Sequence, residues 1–144
     1  LEAVLRDEAD VEHVGQGILA GALAIVLPPG EETTIKGTCT MTDDVTLVAI
    51  IPHMHQLGIY MKVVAESSVD GDVVLSDGPY DFEQQHISLV DLVEMKKGDA
   101  LRVDCTYMNT TEKVVTFGDS SLAEMCFAGI WRYPILDEPF FCVQ

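Results

Sequence analysis

The feature that most limits the fold of this chain is a series of short runs, apolar or alternating apolar and polar, separated by turn residues. Residues 101–108, LRVDCTYM, alternate strictly, as in a strand with one face in the core and the other in water. Asp70-Gly71 and Lys97-Gly98-Asp99 are typical of tight turns between strands. Convincing amphipathic helix patterns with caps are absent from the sequence. We therefore predict an all-β chain that folds as an antiparallel β-sandwich of the jelly-roll type.

The composition allows a sizeable core and limits the possible partners. Hydrophobic residues make up 48% of the 144 residues, which suits one domain, predicted to span 1–144. Acidic residues outnumber basic ones 24 to 8, and the net charge of -16 repels nucleic acids and anionic membranes. The longest apolar run, ILAGALAIVL at 18–27, is too short to cross a bilayer. We therefore expect no nucleic-acid partner and no membrane span.

The four cysteines bear on the compartment. Cys39, Cys105, Cys126 and Cys142 form no CxxC pair, which argues against zinc-ribbon and thioredoxin-like sites. An even number at wide spacing fits two disulfides, which would staple the sandwich and indicate a secreted, lumenal or periplasmic protein. Four buried thiols in a cytosolic chain fit the same spacing. Asn109-Thr110-Thr111 is a sequon for N-glycosylation if the source glycosylates.

The segment HMHQLG carries the most conspicuous candidate site. His53 and His55 are two residues apart, so on a strand they would point to the same face, close enough to share one metal ion. The alternative is two polar residues on a solvated strand end. The other histidines, His13 and His86, have no partner nearby in the sequence, and we expect each to be a surface or hydrogen-bonded histidine rather than a ligand.

A third ligand is available in the segment LAEMCFAGIWRYP. If this segment is a strand, Met125 faces away from its neighbour Cys126. A thioether is a soft ligand that suits Cu(I) far better than zinc or magnesium, although plain core packing is the alternative role. Cupins also carry HxH, but the glutamate expected a few residues later is replaced here by Ile59 and Tyr60.

Four segments, in order, resemble those of a known family. These are AIVLPPGE (24–31), HMHQLG (53–58), YDFEQQ (80–85) and GDALRVDCTYMNTTEKVVTFGDSSLAEMC (98–126). Nearly end to end, the chain resembles the C-terminal copper domain of the copper type II, ascorbate-dependent monooxygenases, the family of dopamine beta-monooxygenase and peptidylglycine alpha-hydroxylating monooxygenase.

The resemblance implies a set of site residues. It makes His53, His55 and Met125 the ligands of one copper ion, and it implies no catalytic residue beyond these ligands. It also pairs Cys105 with Cys126 and Cys39 with Cys142, so that the first bridge would hold the strand that presents the sulfur.

The resemblance also implies an activity and partners. The domain would bind O2 and hydroxylate a C–H bond of a small-molecule substrate, using electrons that come from ascorbate through a second copper on a preceding domain. The three histidines of that second site are not available here, so this isolated C-terminal domain is expected to bind copper but to turn over poorly or not at all.

Two other functions stay open, and one substrate class is disfavoured. The chain would otherwise be a non-catalytic copper-binding module for storage, delivery or sensing, or a β-sandwich interaction domain with relic motifs. Peptide-processing members bind a carboxylate through an arginine two residues before the first histidine and through polar residues just after the methionine. Ile51, Ala128 and Gly129 stand at the matching places, so a peptide substrate is not expected.

Overall fold

The computed structural model describes residues 7–143, and strands make up most of this part of the chain. The predicted domain, 1–144, extends beyond these residues at both ends. Two short 3-10 helices, Glu8–Asp10 and Phe82–Gln84, are the helical elements within 7–143. The strands are β1 (Gln16–Ala22), β2 (Val26–Leu27), β3 (Glu32–Thr40), β4 (Val45–His53), β5 (Gly58–Ser67), β6 (Gly71–Pro79), β7 (Ser88–Met95), β8 (Ala100–Met108), β9 (Val115–Thr116), β10 (Cys126–Tyr133) and β11 (Phe141–Val143).

Two larger sheets face each other across the core. The first has the order β11-β1-β10-β4-β7, the second has the order β3-β8-β5-β6, and β2 pairs with β9. The predicted all-β sandwich is confirmed. The strand pairs are antiparallel except that of β11, which runs parallel to β1 at the end of the first sheet. Residues 134–140 return the chain from β10 over β1, so β11 runs against β10 and therefore along β1.

The core forms where the inner faces of the two sheets meet. In β8 the predicted alternation holds: one set of side chains is fully buried, and the residues between them are only partly covered. The buried set consists of Leu101, Val103, Cys105 and Tyr107. The apolar run 18–27 forms β1, a short connection and β2 rather than a helix. Within residues 7–143, no helix is long and apolar enough to cross a membrane.

Both disulfides join one sheet to the other. Cys105 of β8 is bonded to Cys126 of β10, and Cys39 of β3 is bonded to Cys142 of β11. These are the pairs that the family resemblance predicts. The bridges span 21 and 103 residues of sequence. Bridges of such lengths typically stabilise a fold by about 3 to 5 kcal/mol each, mainly by restricting the unfolded chain.

Turn positions also follow the sequence. Gly71 and Gly98 have positive φ angles of 77° and 95°, which glycine adopts without steric cost. The turn before β8 is further held by Asp99, whose carboxylate accepts hydrogen bonds from the backbone N–H groups of Lys96 and Ser68. The turns predicted at Asp70-Gly71 and Lys97-Gly98-Asp99 are therefore present.

The sequon asparagine has a structural role. Asn109 is fully buried, and its Nδ2 donates hydrogen bonds to the carbonyl oxygens of Leu27 at 2.8 Å and Lys113 at 2.9 Å. Its Oδ1 accepts from the backbone N–H and the hydroxyl of Thr111. Because the nitrogen that would carry a glycan is enclosed and has both hydrogens bonded, the folded protein offers no acceptor at this sequon.

We expect Asn109→Ala to lower the free energy of unfolding by about 1–3 kcal/mol, because it removes the buried hydrogen bond to the Leu27 carbonyl and the acceptor of the Thr111 N–H. Urea unfolding measures the change, with Thr110→Ala at the exposed neighbouring position as the control. Intact mass of the wild-type protein from a glycosylating host should show no glycan. A homogeneous, folded glycoprotein modified at Asn109 would contradict this assignment.

Candidate metal centre

His53 is the last residue of β4, at the end of a strand inside the first sheet. It is paired with Phe127 of β10, so its side chain lies on the same face of the sheet as the Phe127 ring. Its Nδ1 lies 2.8 Å from Oε1 of Gln85. An amide oxygen can only accept, so Nδ1 carries the proton, and Nε2 is the ring nitrogen with a free lone pair.

The orientation of the Gln85 amide is set by a second contact. Its Nε2 donates to the carbonyl oxygen of Phe82 at 3.0 Å, which turns Oε1 towards His53. Phe82 begins the short 3-10 helix, whose N-cap Asp81 accepts from the Glu83 N–H. The loop that follows β6 thereby fixes both the position and the tautomer of His53.

His55 lies just beyond β4 and is buried. Its Nδ1 is 3.0 Å from the carbonyl oxygen of Ala123, which again can only accept. The His55 and Phe82 rings are nearly perpendicular, at a centroid distance of 6.1 Å. His55 therefore also presents Nε2 with its lone pair free.

The two imidazole rings are close and nearly perpendicular. Their centroids are 5.4 Å apart, with 86° between the ring planes. Each has its Nδ1 hydrogen committed to an oxygen, which is the common arrangement around a histidine that binds metal through Nε2. Within residues 7–143 no group of three or more His, Cys, Asp or Glu side chains could hold a metal ion. A metal at these two rings would need a ligand of another kind, such as a thioether.

Met125 follows the segment that contacts His55 and directly precedes β10. Its side chain is half-buried, and its carbonyl oxygen accepts a hydrogen bond of 2.7 Å from the hydroxyl of Tyr107. Burial raises the pKa of the Tyr107 hydroxyl, which keeps it protonated as a donor. The next residue, Cys126, is bonded to Cys105, so the backbone of Met125 is held from both sides.

Glu124 joins the histidine segment to the methionine segment. Its carboxylate is fully buried and accepts hydrogen bonds from the backbone N–H groups of His55 at 2.8 Å and Leu57 at 2.7 Å. Burial raises the pKa of Glu124, while these backbone donors and the nearby His55 ring act in the opposite direction. The Glu124 side chain, next to Met125, thus positions the loop that carries His55.

Tyr80 holds the same loop through hydrogen bonds to the backbone of Met54. Its hydroxyl donates to the carbonyl oxygen of Met54 at 2.6 Å and accepts from the Met54 N–H at 3.0 Å. Burial raises the pKa of Tyr80 to about 12, so the hydroxyl keeps its proton at physiological pH. Both backbone groups between the two histidines are therefore fixed.

The structure brings the His53 and His55 rings together and places the segment that precedes Met125 against His55, although not by strand alternation. Because β4 ends at His53 and β10 begins at Cys126, neither His55 nor Met125 lies in a strand, which corrects the prediction. The backbone N–H of His55 bonds to Glu124 instead of to a neighbouring strand. His13 and His86 are exposed, as expected, and His13 stacks on Tyr133 at 4.3 Å.

Sequence reasoning missed the residues that orient the ligands. Gln85 and Tyr80 lie in the YDFEQQ segment, and Glu124 lies in EMC. The available signal was that these polar residues lie in motifs of the family, one of which also contains the methionine. Their individual roles depend on contacts between segments that are distant in sequence.

The first comparison with known proteins identifies the class. Residues 14–144 match the family described as copper type II ascorbate-dependent monooxygenase, C-terminal domain. The chain belongs to this family, as its four motifs predict.

Two particular relatives are similar to part of the chain. They are "DBH-like monooxygenase protein 2" of Mus musculus and "Putative DBH-like monooxygenase protein 2" of Homo sapiens, each 29% identical over 122 residues, which is 75% of this chain. The matched region spans 20% of the mouse protein and 24% of the human one. This chain thus corresponds to about a fifth to a quarter of the curated relatives that it matches.

We expect Glu124→Gln to loosen the histidine loop, because an amide can accept from only one of the two backbone N–H groups and turns a donor towards the other. The predicted loss in unfolding free energy is about 1–3 kcal/mol. Amide hydrogen exchange at His55 and Leu57 measures the local effect, with Glu83→Gln at an exposed position as the control. Unchanged protection of both amides would remove Glu124 from this role.

We expect that in Gln85→Leu the proton of His53 is no longer fixed on Nδ1, because the variant lacks the oxygen that accepts the Nδ1 hydrogen bond. Imidazole 15N chemical shifts of the copper-free protein report the tautomer, and copper affinity should fall by about 10-fold or more. Gln84→Leu is the matched control, since Gln84 bonds to Asp81 instead. Gln85→Glu retains an acceptor and should restore the tautomer. A His53 ring protonated on Nδ1 in Gln85→Leu would contradict the assignment.

Proposed function

We propose that this domain binds one copper ion through Nε2 of His53, Nε2 of His55 and the thioether of Met125. The observation that carries the proposal is the fixed tautomer of both rings, whose Nδ1 atoms are held by Gln85 and by the Ala123 carbonyl. This arrangement leaves the Nε2 lone pair of each ring free to bind a metal, near the segment that ends in Met125. Family membership supports copper as the ion.

The chemistry of the donor set supports a site that accepts reduced copper. Two imidazole ligands suit both Cu(I) and Cu(II), whereas a soft thioether ligand favours Cu(I). Three protein ligands leave coordination positions open, as a catalytic rather than a structural metal site requires.

We infer that the reaction is hydroxylation of a substrate C–H bond. A bound copper ion would supply one-electron redox chemistry towards O2. In the balanced reaction, substrate, O2, two electrons and two protons give the hydroxylated product and water, with ascorbate as the source of electrons. Gln85, Glu124, Tyr80 and Tyr107 hold the ligand segments in place, and the buried surroundings of His55 limit access of water.

The electrons would reach this domain through a preceding copper domain. The proposal is supported by the length of the curated relatives and by the isolation of His13 and His86, which form no second histidine cluster within residues 7–143. The present chain would be the C-terminal domain of that enzyme, and alone it would bind copper with little turnover. The two disulfides support an oxidising location: secreted, lumenal or periplasmic.

A second candidate is a copper-binding module without catalysis. The orienting contacts of His53, His55 and Met125 all come from this one chain, so the site needs no other domain for binding. Storage, delivery or sensing would use the same three ligands. Assay of the natural full-length protein with copper, ascorbate and O2 separates the two, because only the enzyme consumes O2 with a substrate.

We expect the chain to bind about one equivalent of copper. Met125→Ala should weaken Cu(I) binding far more than Cu(II) binding, because only the soft ion gains from sulfur. His53→Ala should weaken both. Competition titrations with a Cu(I) chelator and a Cu(II) chelator measure the affinities, and His13→Ala, an exposed histidine outside the site, is the control. Unchanged copper uptake in His53→Ala would refute the ligand assignment.

A further inference from the structure

A cavity of about 200 Å³ opens between the two sheets, on the side where β6 and β7 form the sheet edges. β7 begins at Ser88, which is paired with Ile50, so β4 continues to Pro52 without a strand partner on that side. The loop of residues 80–87, which leads from β6 to β7, forms one wall of the cavity. The candidate copper ligands are not among the residues that line it, so the cavity is separate from the metal centre.

Gly78 of β6 leaves room inside the cavity. It is paired with Met61 of β5, which is buried and also lines the cavity, so a side chain at position 78 would point to the same side. A Cβ placed on Gly78 would meet no heavy atom within 4 Å beyond its own chain neighbours. A glycine at this position in the register therefore keeps open a volume that another residue would fill.

The inner wall of the cavity is apolar. Met61 is buried and Pro52 is half-buried. Tyr80 also lines the cavity, while its hydroxyl is bonded to the backbone of Met54. Such surfaces gain free energy when an apolar group displaces water from them. This part of the cavity therefore suits a hydrocarbon or aromatic ring.

The mouth of the cavity is polar. Ser88 and His86 are exposed, and Ser76 is half-buried. Within residues 7–143, none of these three side chains is hydrogen-bonded to another residue. Two hydroxyl groups and an imidazole can each donate and accept a hydrogen bond. A hydroxyl group of a ligand at the mouth therefore finds several partners that no protein group occupies.

The cavity favours an uncharged ligand. Lys and Arg are absent from its described lining residues, and the net charge of -16 repels an anion. Asp81, the acidic residue of the lining, already accepts hydrogen bonds from the Glu83 N–H and from Nε2 of Gln84. An ammonium group would therefore compete with donors that hold the loop in place.

The volume limits the size of the ligand. Pockets for drug-sized molecules measure about 300–1,000 Å³, so the occupant of this cavity is smaller. An apolar cavity of about 150 Å³ engineered into another protein binds benzene. A cavity of about 200 Å³ therefore accommodates one six-membered ring with a short polar group.

Gln85 connects the cavity to the candidate metal centre. It lines the cavity, its Oε1 accepts the hydrogen bond of His53 Nδ1, and its Nε2 donates to the Phe82 carbonyl. A molecule packed against the Gln85 side chain restricts the rotamers in which these two bonds are lost. Binding in the cavity and binding of copper at His53 would then each favour the other, because such coupling is reciprocal.

We propose that this cavity binds a small uncharged molecule with one ring and one hydroxyl group, and that the bound molecule strengthens copper binding through Gln85. The ring lies against the apolar inner wall, and the hydroxyl bonds to the side chains at the mouth. Because no candidate copper ligand lines the cavity, the molecule is an effector and not the substrate. Binding in the cavity requires no copper, whereas the link to copper rests on the proposed function.

Titrations of the copper-free, 15N-labelled protein test the site. The probe is benzyl alcohol, and benzoate and benzylamine are comparators of similar size with opposite charges. Benzyl alcohol should shift the backbone amide signals of Ser76, Gly78 and His86 in a saturable way. Both ions should bind at least about 10-fold more weakly, because a charge loses water without gaining a partner.

Variants of the lining test the assignment further. Gly78→Leu should abolish binding because its side chain fills the cavity, and Val74→Leu, at an exposed position of the same strand, is the matched control. Ser76→Ala and Ser88→Ala together should weaken benzyl alcohol by about 5-fold or more and leave toluene, which has no hydroxyl, unchanged. Circular dichroism identifies a variant that fails to fold, and the serine variants at the mouth then decide.

The link to copper is measured by competition titrations with and without saturating benzyl alcohol. Copper affinity of the wild type should rise by about 5-fold, and that of Gln85→Leu should not change. Unchanged copper affinity in the wild type would overturn the link.

Three results would overturn the site itself: shifts that do not saturate or that lie outside the lining residues, equal affinity for the alcohol and the two ions, or binding by a folded Gly78→Leu. A wild type that binds no copper would overturn the proposed function and the link, while the copper-free titrations still decide the site. Failure of the metal centre and failure of the cavity are therefore distinguishable.

Discussion

The disulfide between Cys105 and Cys126 fixes the place where the two sheets and the candidate metal centre meet. It links β8 of one sheet to β10 of the other, and Cys126 is the residue after Met125. Tyr107, two residues beyond Cys105 on the same strand, bonds to the Met125 carbonyl. The methionine segment therefore has a defined backbone position although it lies outside any strand. The inter-sheet bridge contributes to stability and to the site at the same time.

The ligand residues depend on a second layer of contacts. Glu124 accepts hydrogen bonds from the histidine loop, Tyr80 fixes the residue between the histidines, and Gln85 and the Ala123 carbonyl define the two tautomers. These partners come from two different stretches of the chain, residues 80–85 and 123–124. A site assembled in this way is ordered before a metal binds, so little conformational entropy is lost on binding.

The outer faces of the two sheets differ in the kind of side chain that they present. Ion pairs lie on the outer face of the second sheet, while Ile51 and Gly129 lie on the same face of the first sheet as His53. The same strand register that builds the core on the inner face of β4 and β10 thus arranges the surface next to the candidate centre.

The sequence alone determined the fold class, the turns and the ligand candidates, because each depends on local patterns. Alternation in LRVDCTYM, the glycines at 71 and 98, and the spacing of His53 and His55 are all readable without a partner segment. The disulfide pairs and Met125 followed from motifs in family order. Tertiary structure alone decided that β11 runs parallel to β1, that Asn109 is enclosed, and that Gln85 and Glu124 orient the site. The contacts of Asn109, Gln85 and Glu124 include hydrogen bonds between residues 32 to 82 positions apart, and the pairing of β1 with β11 joins Leu19 to Phe141, which no local pattern specifies.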